Sequence, residues 1–339
     1  PRLFETPYYL YLLYRCAVRR LPFKFLAKAN YALDHGEIGV GSKLATQHAF
    51  AQDRFLPAVL ITDAVSIEER HRISRDFAAR HGFPLVLKPD IGSVGKGVTK
   101  VRSDEELVSA LGTIRGPYIL QVFCTGNVEF GVFFVRHNGQ PRITGINRKH
   151  FPTILGNGRD SIQVLAERHY RFTSHWRLFL ASLDTSRVPA AGESVQLSFI
   201  GSHTMGCKFT DDTHRKTPAL ERAIFEICDS QPGFNFGRLD VKTDSEADFL
   251  AGKFSVIEIN GIASLPTQMF DPAGSLAHAY RIFLHHGYLL VEIANEHRDK
   301  PMQLASWKEI VSRVRANRAM LEATHEGLMT APATVTTAK

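Results

Sequence analysis

Two periodicities alternate in the first part of the chain after residue 43. Short β-branched runs bounded by turn residues predict strands at residues 58–63, 84–90 and 98–103. Apolar positions at helical spacing predict helices between them, at residues 66–82 and 103–114. The second helix opens with the Ser103/Glu106 spacing of a capping box. A mixed unit of strands and helices is therefore expected up to about residue 119.

The second part of the chain carries longer apolar runs. They predict strands at residues 118–123, 129–149, 236–243 and 254–260. The longest run contains Asn138-Gly139, a pair typical of a hairpin turn. Helical spacing predicts helices near residues 160–170, 218–229 and 301–325, and a polar region lies at 198–217. The tail TAPATVTTAK has too little apolar surface to order itself.

Two of the predicted strands carry polar side chains two positions apart. In FSVIEING they are Glu258 and Asn260, and in FGRLDVK they are Arg238 and Asp240. Side chains alternate along a strand, so each pair shares one face. If the strands are neighbours, all four side chains line one surface, whose oxygens suit Mg²⁺ held together with phosphates. The alternative is a buried salt bridge between Arg238 and Glu258.

A lysine inside an apolar strand precedes a glycine-rich loop. Lys88 lies in PLVLKP, where a buried ammonium needs an anion, and IGSVGKG follows it at 91–97. Successive N–H groups in such a loop form an anion-binding concavity, and the lysine adds charge for the same phosphates. The alternative is a plain hairpin turn. The loop is neither a Walker A motif nor a GxGxxG that opens a helix.

The segment 8–28 is first apolar and aromatic and then basic, with no acid. Such a segment suits an anionic membrane surface, with apolar side chains inserted and basic ones on the phosphates. The alternative is a helix packed on the domain with a solvated basic face.

Composition and charge limit the class of protein and its location, but they do not identify the partner. The 339-residue chain contains 44% hydrophobic and 22% charged residues, which is ordinary for a globular protein. No stretch is long and apolar enough to predict a membrane span or a signal peptide, so a cytoplasmic location is expected, with peripheral membrane contact through 8–28 left open. The four cysteines form no CxxC pair, which argues against a zinc site. The net charge of +7 favours anionic partners without choosing among nucleic acid, lipid and nucleotide phosphate.

The order of strand lysine, glycine-rich flap, GRLD and EIN resembles the ATP-grasp superfamily of carboxylate-amine ligases, over roughly residues 43–288. GRLD followed by EIN is close to the pattern of D-alanine:D-alanine ligase, and ILGNGRDSIQVL is similar to a segment of cyanophycin synthetase-like enzymes. The resemblance implies an α+β (α/β) fold with ATP between two α+β lobes. No βαβ pattern precedes residue 43, so an N-terminal Rossmann-like domain ahead of the lobes is not expected.

The same resemblance divides the chain into four parts. They are a basic and aromatic helical segment at 1–42, a nucleotide-binding lobe with the flap at 43–123, a second lobe with the magnesium site at 124–300, and a helix with a tail at 301–339.

The resemblance also implies roles for individual residues. The nucleotide contacts would be Lys43 and Lys88 on phosphates, the flap residues Ser93, Val94, Gly95, Lys96 and Gly97 over the triphosphate, Gln121, Phe123 and Cys124 at the adenine, and Glu129 at the ribose. Asp240, Glu258 and Asn260 would bind Mg²⁺, with Mn²⁺ as a possible substitute, and Glu258 would bridge two ions. Arg238 would stabilise the tetrahedral intermediate, while Arg148 or Lys149 would contact phosphate. His203 and Lys208 are further candidates in the polar region.

The implied function is ATP- and Mg²⁺-dependent amide formation through an acylphosphate, with ADP and phosphate released. The partners would be small-molecule or carrier-borne carboxylate and amine substrates, and no nucleic acid is expected. Two alternatives stay open at this point. One is an ATP-grasp kinase or phosphotransferase, and the other is a protein that binds nucleic acid or a membrane surface. The sequence does not indicate the oligomeric state or the identity of either substrate.

Overall fold

The computed structural model describes residues 2–38, 41–92, 95, 97–172, 180 and 183–330. Its α-helices are α1 (Arg2–Val18), α2 (Lys43–His48), α3 (Ile67–His81), α4 (Asp104–Thr113), α5 (Ile162–Glu167), α6 (Pro218–Asp229), α7 (Glu246–Leu250), α8 (Leu276–Glu296) and α9 (Trp307–Thr330). Short 3-10 helices include Phe23–Asn30, His203–Met205 and Thr267–Phe270.

The strands form three antiparallel sheets. They are β1 (Ala58–Ile61), β2 (Leu85–Pro89), β3 (Thr99–Val101), β4 (Tyr118–Val122), β5 (Val128–His137), β6 (Gln140–His150), β7 (Thr153–Leu155), β8 (Ser194–Gln196), β9 (Lys208–Asp211), β10 (Phe236–Thr243) and β11 (Ser255–Asn260). The strand orders are β1-β4-β2-β3, β11-β10-β5-β6-β9 and β7-β8. Helices and antiparallel sheets in one chain confirm the predicted α+β class.

The five-stranded sheet has apolar cores on both faces. On one face, Val132 and Phe134 of β5 and Leu239 of β10 pack with Leu220 and Ile224 of α6. On the other face, the core includes Phe133, Val135 and Phe236, together with side chains of α1 and α8. This second core covers only part of its face, because the remaining positions on that face carry polar residues.

Helix α1 packs against α8. Tyr8 and Leu12 are buried, and the Tyr8 ring stacks on Phe283 with ring centroids 3.9 Å apart. Arg15 and Arg19 both form ion pairs with Glu292 of α8. The segment therefore contains the packed helix that the sequence offered as one alternative, but these two basic side chains are held by a carboxylate.

Local signals placed several elements correctly. The predicted hairpin joins β5 to β6, and Asn138 and Gly139 take the positive φ values of 52° and 70° that such turns require. The Ser103 hydroxyl accepts the Glu106 N–H and begins α4. Helix α9 begins at Trp307 instead of residue 301 because the Ser306 hydroxyl caps it by accepting the Glu309 N–H. The tail residues 331–339 lie outside the described residues.

Candidate active site

Strands β10 and β11 are antiparallel neighbours, which is the condition under which their predicted polar side chains line one surface. Arg238 lies opposite Asn260, and Asp240 lies opposite Glu258. On the other side of β10, Asp240 lies opposite Gly131 of β5, which in turn faces Asn147 of β6. The cross-strand register therefore gathers polar side chains from four strands on one face of the sheet.

An irregularity in β11 connects the two larger sheets. The register passes from Asp240 opposite Glu258 to Val241 opposite Val256, so Ile257 has no partner residue on β10. The Ile257 carbonyl accepts a hydrogen bond from Lys88 Nζ at 3.2 Å. Lys88, on a strand of the four-stranded sheet, is thereby placed beside the polar face of the five-stranded sheet.

Asp240 is the most heavily paired carboxylate of this group. Its two oxygens accept Arg238 Nε at 2.9 Å and Nη2 at 3.1 Å, Lys149 Nζ lies 3.1 Å away, and Asn260 Nδ2 donates at 3.3 Å. Burial alone raises the pKa of this carboxyl, but the Arg238 and Lys149 charges outweigh burial and hold the pKa below its usual value. Arg238 therefore pairs with Asp240, and the predicted alternative of an Arg238–Glu258 salt bridge is wrong.

Lys149 joins two carboxylates on this face. Its ammonium donates to Glu129 Oε1 at 2.7 Å and lies beside Asp240. Burial lowers the pKa of Lys149, but the charges of Asp240 and Glu129 more than offset it, so the pKa is raised overall. Lys149 is therefore a permanent cation inside the site. Glu129, the predicted ribose contact, forms its ion pair with Lys149.

Lys43 and Lys88 add positive charge from the first half of the chain. Lys43 Nζ donates to the Gly92 carbonyl and lies 4.0 Å from Glu258 Oε1. Burial, the largest effect, and the nearby Lys43 charge lower the pKa of Lys88, while Glu258 opposes this shift. Asp90 fixes the local backbone because its carboxylate accepts the Leu44 N–H at 2.9 Å. An anion bound here would raise the pKa of Lys88 and relieve the repulsion between the two lysines.

Asn147 is a member of this surface that the sequence did not single out. It is 1% exposed, its Oδ1 accepts the Thr267 hydroxyl at 2.6 Å, and its Nδ2 has no hydrogen-bond partner among the described residues. Space for it depends on Gly131, where a Cβ would clash with Asn147 Oδ1 and lie 3.1 Å from Arg238 Cδ. Asn147 lies two residues before Lys149 on β6, so strand alternation puts both side chains on one face, and this signal was available in the sequence.

Aromatic rings and lysine ammonium groups cluster at the predicted adenine segment. Phe123 makes an edge contact with Phe199 at 5.8 Å between centroids, and the ammonium groups of Lys100 and Lys242 lie 3.8 Å and 5.2 Å from the Phe123 centroid. Lys242 also donates to the Cys124 carbonyl at 3.5 Å. Lys242 continues the alternation of Arg238 and Asp240 by two residues, so the sequence contained a signal for it as well.

Gln121 lies on β4, two residues before Phe123, and is fully buried. Its Nε2 donates to Gln47 Oε1 at 3.4 Å, and its own Oε1 has no hydrogen-bond partner among the described residues. Contact between Gln121 and a base would require Gln47 to move aside.

The flap is described only in part. Ser93, Val94 and Lys96 lie outside the described residues. Gly95 and Gly97 have positive φ values of 76° and 71°. A Cβ at Gly95 would clash with the Ile200 side chain, so the loop approaches the 198–206 region closely. Part of the predicted polar region thus lies against the flap.

Three other predicted residues lie away from the charge cluster. Arg148 pairs with Glu246 of α7 at 2.5 Å and, by strand alternation, projects from the sheet face opposite to Lys149. His203 is exposed, bonds to Arg171 at 2.9 Å and stacks on Phe270. Lys208 lies on β9 opposite His150. The structure does not bring any of the three to Asp240.

The predicted magnesium ligands differ in how far they are already paired with other side chains. No group of three or more His, Cys, Asp and Glu side chains with metal-binding arrangement occurs in the described part of the chain. Asp240 is paired with two cations, Arg238 and Lys149, whereas Glu258 forms one ion pair among the described residues, at 4.0 Å with Lys43. The Asn260 amide donates to Asp240 through Nδ2, which leaves its oxygen available. Glu258 and Asn260 therefore fit Mg²⁺ shared with phosphate oxygens, with Asp240 behind them.

Comparison with known proteins gives similarities in structure alone. No family model matches the chain, and no curated protein matches it. Similar solved structures include D-alanine–D-alanine ligase from Bacillus anthracis, at 14% identity over 83% of this chain and 69% of that one, with a TM-score of 0.43. The corresponding enzyme from Helicobacter pylori is 18% identical over 74% of this chain and 60% of that one, with a TM-score of 0.38.

A bifunctional glutathione synthetase from Pasteurella multocida is also similar, at 18% identity over 72% of this chain, with a TM-score of 0.38. The present chain spans 35% of that protein's length. At these levels of similarity, the function has to be argued from the residues of the site itself.

Proposed function

We propose that this chain is an ATP-grasp ligase that uses ATP and Mg²⁺ to join a carboxylate to an amine. The observation that carries the proposal is the meeting of Lys88, from the four-stranded sheet, with the Arg238, Asp240 and Glu258 group of the five-stranded sheet. The lobe boundaries at 43–123 and 124–300 belong to the same proposal.

An anionic substrate would meet several cations at this site. Lys43, Lys88, Lys149 and Arg238 converge here, among the carboxylates of Asp90, Glu129, Asp240 and Glu258. A triphosphate with its metal ion would bind beside Lys88 and Glu258, and the aromatic and lysine side chains at Phe123 would contact the flat base.

The reaction needs no side-chain nucleophile. A substrate carboxylate oxygen would bond to the γ-phosphorus as the bond to the ADP oxygen breaks, giving an acylphosphate. An amine nitrogen would then bond to the acyl carbon and lose a proton, and phosphate would leave. Arg238, held in one orientation by the two oxygens of Asp240, would donate to the oxyanion that forms in this second step.

Glu258 and Asn260 would hold Mg²⁺ together with phosphate oxygens, and the ion would supply charge neutralisation during phosphoryl transfer. Lys149 would contribute a fixed positive charge behind them, because its raised pKa keeps it protonated across the physiological range. Closure of the flap over the site would exclude water from the acylphosphate.

The test is an ADP-release screen over pools of carboxylates and amines, with hydroxylamine added in parallel. ADP release that requires a carboxylate, with hydroxamate formed in its presence, supports a ligase. A stable phosphorylated product without an amine would assign the chain to the kinase alternative. Absence of nucleotide binding, together with salt-dependent binding of nucleic acid, would overturn both.

Neighbouring residues of β6 provide a matched pair of variants. Lys149→Gln should abolish turnover, whereas Arg148→Gln should retain it, since the two side chains project from opposite faces of the sheet. Equal losses in the two variants would argue against the site described here.

A further inference from the structure

Helix α1 turns an uncharged face to solvent. Between residues 6 and 18, the solvent-exposed positions are Thr6, Pro7, Tyr9, Leu10, Leu13, Tyr14, Ala17 and Val18. We call this set the apolar face. Five of its members are large hydrophobic side chains that are 49–62% exposed, which is a concentration that a solvated surface rarely carries on one short helix.

The opposite side of α1 is already occupied, so the apolar face cannot be buried by turning the helix. Tyr8, Leu12 and Cys16 are 3–4% exposed and pack in the core formed with α8. The Arg15 and Arg19 ion pairs with Glu292 fix the orientation about the helix axis. What covers the apolar face must therefore come from outside the described fold.

Positive charge follows the apolar face directly in the chain. Arg19 retains 42% side-chain exposure despite its ion pair, and Arg20 and Lys24 are exposed. We call these three residues the basic end. No acidic residue occurs between Glu5 and Asp34. A surface that is apolar in one part and cationic next to it is complementary to lipid chains bordered by anionic headgroups.

We propose that the apolar face and the basic end dock the protein on an anionic lipid bilayer, with α1 lying in the plane of the interface. Tyr9 and Tyr14 suit this position because an aromatic ring with a hydroxyl is stable where the apolar and wet regions meet. Of the described helices, none is long and apolar enough to cross a bilayer. The docking is peripheral and does not depend on the ligase proposal.

The experiment is flotation of the full chain with vesicles of phosphatidylcholine, alone or mixed with phosphatidylglycerol. Flotation is expected with the mixed vesicles and should weaken as salt is added, because the basic end acts through screened charges. Leu10→Glu and Leu13→Glu should each reduce partitioning by about tenfold or more, and the double variant Arg20→Glu/Lys24→Glu by a comparable factor.

Leu155→Glu is the matched control. Leu155 of β7 is 67% exposed, as much as either leucine of the apolar face, and should partition like the unmodified chain. Far-UV circular dichroism and the unfolding temperature of every variant establish that a loss of flotation is not a loss of fold.

Three results would overturn the proposal. One is equal flotation with neutral and mixed vesicles, and another is equal loss in the Leu155→Glu control. The third is no flotation at all together with a dimer that Leu13→Glu dissociates in light scattering, which would assign the apolar face to a second copy of the chain. ATP-dependent turnover is measured on the same samples, so failure of docking and failure of the ligase proposal can be told apart.

Discussion

One face of the five-stranded sheet is built in two different ways. In its aromatic half, Phe133 and Phe236 pack with α1 and α8. In its polar half, Glu129, Lys149 and Asp240 are also buried, at 5–6% exposure, but are held by ion pairs. The same strands supply both halves, because β5 contributes Glu129 and Phe133 and β10 contributes Phe236 and Asp240.

The difference shows how two kinds of interaction fill equivalent positions. Aromatic packing is non-directional and gains stability from area removed from water. Buried ion pairs break even at best against apolar side chains of similar volume, and losing one partner costs far more than the pair contributes. We therefore infer that the polar half is retained for its chemistry and the aromatic half for stability.

The largest expected effect comes from dividing an ion pair in the polar half. Lys149→Met leaves the buried Glu129 carboxylate without its cation and should lower the free energy of unfolding by about 3–5 kcal/mol. The double variant Lys149→Met/Glu129→Leu should recover most of that loss, while Asp240 keeps its pairing with Arg238. Urea unfolding of the single and double variants measures both quantities.

In the aromatic half, a second substitution should add to the loss of stability instead of recovering it. Phe236→Ala should cost about 3–5 kcal/mol through the cavity that it leaves, and shortening a neighbouring side chain should add to the loss. A double variant in the polar half that is no more stable than Lys149→Met would contradict the inferred division between the two halves.

The next largest effect is expected at Glu258 of β11, the carboxylate that lies opposite Asp240 of β10. Glu258→Gln should reduce turnover by about 100-fold or more, equivalent to roughly 2.7 kcal/mol, because it removes the charge that would bind the metal ion in the proposed site. Its unfolding free energy should stay within about 0.5 kcal/mol, since Glu258 has only a 4.0 Å ion pair among the described residues. ADP release and urea unfolding are the measurements, and retained turnover would remove Glu258 from the metal site.

A smaller effect is expected at the glycine that separates Asn147 from Arg238. Gly131→Ala should destabilise the protein by about 1–3 kcal/mol and impair turnover, because the new methyl group clashes with the Asn147 amide. Gly112→Ala in α4 is the control, since a Cβ there meets nothing within 4 Å and should stabilise the helix by about 0.5–1 kcal/mol. Similar unfolding midpoints for the two variants would argue against tight packing at Gly131.

The smallest effect concerns a histidine in the aromatic half. Burial, the main cause, lowers the pKa of His286 to about 3, and its ring lies 4.6 Å from Phe133 and 4.7 Å from Phe236. In the unfolded chain, histidine takes up its proton near pH 6.5, so the unfolded state binds more protons between about pH 6.5 and 3. Protonation of His286 therefore does not affect the unfolding free energy above about pH 6.5, and below it the unfolding free energy falls with pH by at most about 1.4 kcal/mol per unit.

The substitution His286→Phe should flatten the dependence of unfolding free energy on pH in this range. An unaltered slope in His286→Phe would show that other groups set the acid sensitivity.

The local sequence predicted which strand residues share a face, but not where the polar half of that face ends and the aromatic core begins. Strand alternation identified Arg238, Asp240, Glu258 and Asn260 as two pairs, and the antiparallel register of β10 and β11 brings those pairs together. The same rule applied to Lys242 and Asn147 would have extended the polar face. It could not show that Phe133 and Phe236, at the same parity along their strands, belong to an aromatic core, because alternation fixes the face of a strand and not what covers it.

The sequence by itself determined which side chains share a face, where the hairpin turns and that α4 begins at the capping residue Ser103. These features depend on backbone geometry within a few residues. Only the tertiary structure decided that Lys149 pairs with both Glu129 and Asp240, that Arg148 pairs with Glu246, and that Lys88 bonds to the Ile257 carbonyl. Such pairings depend on which strands become neighbours and on a one-residue irregularity in register, and neither is encoded in the spacing of residues along one strand.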